Sequence, residues 1–315
     1  MAGHGRSGRG RRFRERHVKT KRLAWLYAVV AGASVATAGP VRDLQKDYDV
    51  LVGVQTAAMD RPEPERATLI AASYREHFQA VATGDLQAVA SADLDLVFRA
   101  ATIAAGYTLE RAYVVQMKAV YDVLAARNAI SGRHPQSMLE AFVAARMLED
   151  ARRFAQAMPS LGVTLPAFRD AAGGSDGPML WSVQDQGRTL VRQAADLGTS
   201  TVVVVAHPLC GFSQAAAVQI ARDETLRGRF AQQSIWVLPQ TAMIDTAQVL
   251  AWEKDHAPFS MAYVDRQRGW PMIDSWATPT FYFFKDGRVV HEVVGWPQEG
   301  RKAELLEGLA KIAAE

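Results

Sequence analysis

A chain of 315 residues with 49% hydrophobic and 22% charged residues has the composition of a folded protein with room for two domains, not of a disordered one. Its formal charge of +3 is uneven: residues 1–22 hold nine of the 36 Lys and Arg and one acid, Glu15, which leaves 27 basic residues against 32 acidic ones elsewhere. That balance gives no support to nucleic-acid binding, and a single cysteine excludes an internal disulfide framework or a cysteine-based zinc site.

The first 39 residues read as a leader. An arginine-rich segment to Arg22 precedes the uncharged apolar run Leu23–Gly39, with Ala36-Thr37-Ala38 near its end. Charged segment, apolar segment and small-residue site are the three parts of a secretory signal. A spanning helix needs about 20 apolar residues, and the alternative here is an uncleaved membrane anchor. Either way the basic residues are expected to stay cytoplasmic, with the body periplasmic or otherwise extracytoplasmic.

Residues 40–160 show helical periodicity and no strand pattern, so we expect an α-helical bundle or short solenoid. One face carries Leu44, Tyr48, Leu51 and Val52; a second, after the break at Arg61-Pro62-Glu63-Pro64, carries Leu69, Ile70, Tyr74, Phe78 and Val81. Leu96, Val97, Ala100, Ala101 and Ala104 make a third, and Leu109, Tyr113, Met117, Val120, Tyr121 and Leu124 a fourth. Two shorter segments follow, Met138 to Met147 and Asp150 to Met158, a pair similar to tetratricopeptide-type helices. Residues 161–177, with Ala-Ala-Gly-Gly-Ser-Asp-Gly-Pro at their end, read as a linker.

Residues 178–315 alternate strand and helix patterns: Met179–Val183, Val202–Val205, a helix from Gln214 to Phe230, Ser234–Leu238, a helix around Leu250, Phe259–Val264, a hairpin around Lys285-Asp286-Gly287, and a helix from Gln298 to Ala314. This pattern predicts a mixed sheet flanked by helices. Its organising stretch is Thr201–Ser213. A β-branched run ends at His207-Pro208, and Cys210 follows at a predicted helix N-terminus, where unpaired N–H groups and the helix dipole favour a thiolate.

Sixty-nine residues after Cys210 stands Pro279, in W-A-T-P-T-F-Y-F-F-K-D-G-R-V-V-H-E-V-V-G. The two segments together resemble the thioredoxin superfamily, and the extra helix-strand unit between them resembles its exported, membrane-tethered members. The resemblance places Cys210 as the attacking cysteine and Ser213 where a resolving cysteine would stand. It makes Thr278-Pro279 the dipeptide with the cis-proline that lies against the sulfur, with Gly295 closing the last strand. Gly211 and Phe212 would line the substrate groove, and Pro279 would leave adjacent backbone groups free to hold an extended client.

The expected function is exported monothiol thiol–disulfide exchange, or reduction of oxidised cysteines, on client proteins, with an external thiol releasing the product because Ser213 cannot. No cofactor or metal is implied. As a cation, His207 could stabilise the thiolate; packing at the strand end is its other role. Cys210 could instead be an inert thiol in a non-catalytic scaffold that binds envelope proteins. C-G-F-S also matches monothiol glutaredoxins, whose remaining pattern is missing. Copper delivery, known among relatives, is disfavoured by the lack of a second Cys or a Met-rich motif.

Overall fold

The computed structural model describes residues 42–174 and 177–313, so the leader read from residues 1–39 lies outside the described residues. The amino half is helical. α1 (Leu44–Ala57) begins where Asp43 accepts the Lys46 N–H at 3.1 Å. α2 (Glu63–His77) follows the proline break, and α3 (Gln79–Ala82) is one further turn. α4 (Ser91–Thr108) stops at Leu109, whose φ of 57° ends it, and α5 (Arg111–Ala126) packs back against it.

These helices bury the expected stripes. Leu51, Ile70, Tyr74, Phe78, Val97, Met117 and Leu124 belong to one core, each apolar side chain contributing roughly 1.5–3 kcal/mol by leaving water. Tyr74 meets Tyr113 edge-on at 5.1 Å and donates its hydroxyl to Gln116 at 2.8 Å. Leu69, assigned to the buried face of α2, is instead exposed, because it lies at the edge of that stripe.

α6 (His134–Ala144) ends three residues short of the expected Met147, before α7 (Leu148–Ala157). The cause is Arg146, which takes a left-handed φ of 53° and turns its side chain into the protein. Its guanidinium donates to the carbonyls of Val143 (2.9 Å), Thr241 (3.0 Å), Val264 (2.9 Å) and Asp265 (2.9 Å). One fully buried side chain thereby ties the helical half to the sheet. Ile244 packs against both the helical and the sheet core, and the chain from Asp43 onward forms one compact unit.

The stretch read as a linker contributes a strand. β1 (Ala167–Asp170) pairs in parallel with β3 (Thr189–Ala194), which forms an antiparallel hairpin with β2 (Met179–Gln184). The β2–β3 turn holds Asp185, Gln186 and Gly187 at positive φ, and a Cβ on Gly187 would stand 2.8 Å from the Thr246 hydroxyl. β4 (Ser200–Val205), β5 (Ser234–Leu238) and β6 (Met261–Val264) run parallel, and the hairpin of β7 (Thr280–Lys285) and β8 (Arg288–Val294) lies antiparallel beside β4. The eight strands are ordered β1-β3-β2-β6-β5-β4-β7-β8.

All four valines of β4 are buried because both faces of the sheet are covered. Val202 and Val204 face α8 (Gly211–Arg222), α9 (Glu224–Gln233), α10 (Thr246–Asp255) and α11 (Lys302–Ile312); Val203 and Val205 face Trp270, Ile273 and Tyr282. The helix expected from Gln214 to Phe230 is two, broken at Asp223, whose carboxylate caps α9 by accepting the Leu226 N–H at 3.1 Å. A parallel β4-α8-β5 unit flanked by the β7–β8 hairpin and closed by α11 makes this a thioredoxin-like α/β fold preceded by a helical region.

Candidate functional site

Cys210 stands at the carboxyl end of the central strand, where a tight turn converts β4 into α8. The turn is held by its own backbone: the Cys210 N–H donates to His207 O at 2.9 Å and the Ala206 N–H to Val237 O at 2.9 Å. Cys210 is the N-cap of α8, and its carbonyl accepts the Gln214 N–H at 3.0 Å. Its side chain is partly exposed. The sulfur therefore meets both the free N–H groups of a helix start and solvent.

Four groups set its ionisation. Burial pushes the thiol up; hydrogen bonds from the Thr278 side chain, the Ser213 N–H and hydroxyl and the Phe212 N–H outweigh it, and the net shift is downward. The Thr278 carbonyl acts the other way, accepting the thiol proton from Sγ at 3.4 Å.

Ser213 is fully buried beneath the sulfur, and its hydroxyl oxygen also accepts the His207 N–H at 3.3 Å. It is a hydrogen-bonding support for the thiolate. His207 does not act as the cation considered for it. Its Nδ1 accepts the Leu209 N–H at 3.1 Å, which requires that nitrogen to be unprotonated, and burial lowers its pKa. The imidazole is neutral and braces the turn.

Thr278 and Pro279 lie against Cys210, and the peptide bond between them is cis, as is Ala257–Pro258. Of the backbone groups expected to be free here, two are engaged. Pro279 O accepts the Gly295 N–H at 2.8 Å, which is the role the closing glycine plays, and Thr278 O accepts from Cys210. The Thr278 N–H has no acceptor among the described residues.

Phe212 projects from the first turn of α8 with 64% of its surface exposed, and Leu209, a neighbour the sequence reading passed over, matches it at 64%. A Cβ at Gly211 would meet nothing within 4 Å, so the backbone here faces open space. Beside the turn, Pro208, Leu238, Met243 and Tyr263 line a cavity of about 220 Å³. Leu209 and Met243 carry no periodic signal; their apolar character in a predicted loop was the only cue. Among the described residues, no three His, Cys, Asp or Glu side chains converge as a metal site would require.

No protein-family model matches the chain, and no curated protein matches it significantly. Among solved structures it is similar to a thioredoxin-like protein from Bacteroides caccae ATCC 43185, at 11% identity and a TM-score of 0.29 over 86% of this chain and 95% of that one. The mixed sheet with its flanking helices is what carries the thioredoxin-like fold.

Proposed function

We propose that the protein is an exported monothiol exchange factor that reduces mixed disulfides or sulfenic acids on client proteins. The observation that carries this reading is the donor set around Cys210, which lowers the pKa of a partly exposed thiol. The Cys210 thiolate attacks one sulfur of a client disulfide; that S–S bond breaks, a Cys210–client bond forms, and the departing thiolate takes a proton from solvent. With a sulfenic acid the same attack expels hydroxide. Ser213 has no sulfur to resolve the adduct, so an external thiol completes the cycle. Exposed Leu209 and Phe212 beside the sulfur supply an apolar docking edge, and the open Thr278 N–H supplies a hydrogen bond to an extended client.

The basic, then apolar, first 39 residues support export, with the helical region as a second surface for partners. The test is the pH profile of Cys210 alkylation in the folded protein, followed by mass spectrometry of adducts trapped from the native compartment. A transition below that of free cysteine, with client adducts, supports exchange. A thiol unreactive until unfolding would leave a scaffold that uses the same apolar edge for binding alone.

A further inference from the structure

Away from the thiol, five arginines converge. Arg111 at the start of α5, Arg146, Arg192 on β3, and Arg266 and Arg268 just after β6 line two adjoining cavities of about 360 and 290 Å³ that share Arg192, Asp265 and Arg266. β6 and β4 are in parallel register with β5, so this pocket opens at the sheet edge that also carries Cys210.

Among the described residues that line it, two are carboxylates, and both are engaged. Asp265 is buried and accepts from Trp181 Nε1 at 2.8 Å and Arg192 Nε at 3.0 Å; Asp170 accepts from Arg192 Nη1 at 3.3 Å. Arg146 directs its donors at carbonyls, and Arg111 donates to Arg146 O at 2.8 Å, so neither charge is paired with a carboxylate there. The side chains of Arg266, half-buried, and Arg268, exposed, make no hydrogen bond or ion pair among the described residues. Burial, followed by repulsion from Arg111, depresses the Arg266 pKa; attraction to Asp265 opposes this, and Arg268 and Arg192 add to the repulsion.

Among the described residues lining these two cavities, five guanidinium groups stand against two carboxylates, while Glu63, Glu110 and Asp274 line a neighbouring cavity that Arg266 and Arg268 also border. Uncompensated like charge at a partly desolvated site is costly unless a counter-charge occupies it. Planar guanidinium forks match carboxylate and phosphate oxygens in geometry. We infer that this pocket binds a small polyanion, a di- or tricarboxylate or a phosphorylated compound, with Arg266 and Arg268 as its direct donors. Arg111, Arg146 and Arg192 supply a fixed positive field. The inference stands apart from the thiol chemistry.

Isothermal titration calorimetry of the full chain with citrate and with pyrophosphate, at neutral pH and low salt, tests it. The expected result is one-to-one binding of at least one of them with Kd below about 1 mM. Arg268→Ala, which alters an exposed side chain, should weaken that binding about tenfold, the scale of one charge-assisted hydrogen bond. Arg266→Gln combined with Arg268→Ala should abolish it while the far-ultraviolet circular dichroism is retained. Preference for citrate identifies a carboxylate ligand and preference for pyrophosphate a phosphorylated one, and either supports the site. No binding of either anion at millimolar concentration, or unchanged binding by Arg268→Ala, overturns it.

Discussion

The sulfur of Cys210 lies 3.4 Å from the carbonyl oxygen of Thr278, two residues before β7. As a thiol, Cys210 donates to that oxygen; as a thiolate it has to be held by other donors against it. Ser213, Phe212 and the Thr278 side chain provide them. The ionisation of Cys210 therefore rests on a balance between burial and short-range polar neighbours.

Ser213→Ala tests that balance directly. It removes one donor to the sulfur and the acceptor of the His207 N–H, leaving a buried amide without a partner. The alkylation midpoint of Cys210 should move to higher pH, and stability should fall by about 1–2 kcal/mol in urea titration. An unshifted midpoint would show that the serine hydroxyl does not contact the thiolate.

Ser213→Cys tests the geometry instead. Position 213 lies one helical turn from Cys210, buried beneath it, so a thiol there should attack a Cys210 adduct from within the chain. Mass spectrometry of the oxidised variant should find a 210–213 disulfide, and client adducts should become short-lived. Persistence of adducts at the wild-type level would mean that the two side chains cannot meet.

Much of this was legible beforehand for a physical reason. The valine run of β4, the helix mouth at Cys210 and the Thr278-Pro279 strand are local signals, and each depends on neighbours within a few residues. What escaped depends on distant parts of the chain. β1 exists only because β3 offers it an edge, a pairing that four residues, Ala167–Asp170, do not announce. The neutral state of His207 follows from an acceptor role toward Leu209 that no spacing rule reveals. Arg146 did leave a trace, a lone charge inside the apolar stretch from Ala141 to Leu148, but its partners at the end of β6 lie 118 and 119 residues away.

Arg146 should be the costliest single position in the join between helices and sheet. Arg146→Met leaves the carbonyls of Val143, Thr241, Val264 and Asp265 short of a donor in a buried setting. Burial lowers the guanidinium pKa to about 10, so it is protonated and donating at neutral pH. We expect a loss of about 3–5 kcal/mol in chemical denaturation. Arg146→Lys, which keeps a charge but fewer donors, should recover only part of it.

His207 and Cys210 should both make stability rise with pH, in different pH ranges and for different reasons. The folded-state pKa of His207 lies below its ordinary value, so the unfolded chain binds the extra proton more readily. Its neutral form is accommodated fully above about pH 6.5, and stability falls as pH drops below that. His207→Asn keeps an acceptor for the Leu209 N–H and removes the titration, so it should lessen the acid sensitivity while leaving the Cys210 alkylation profile unchanged. Cys210 also has a lowered folded-state pKa, but here the charged form is the favoured one. Its contribution is complete above the unfolded thiol pKa and disappears as pH falls through the lower folded value. Relative to Cys210→Ala, the reduced protein should thus gain stability as pH rises across the range up to the ordinary thiol pKa of about 8.5 in paired urea titrations. A constant difference across that range would mean that the fold does not distinguish thiol from thiolate, and the donor set around the sulfur would lose its meaning.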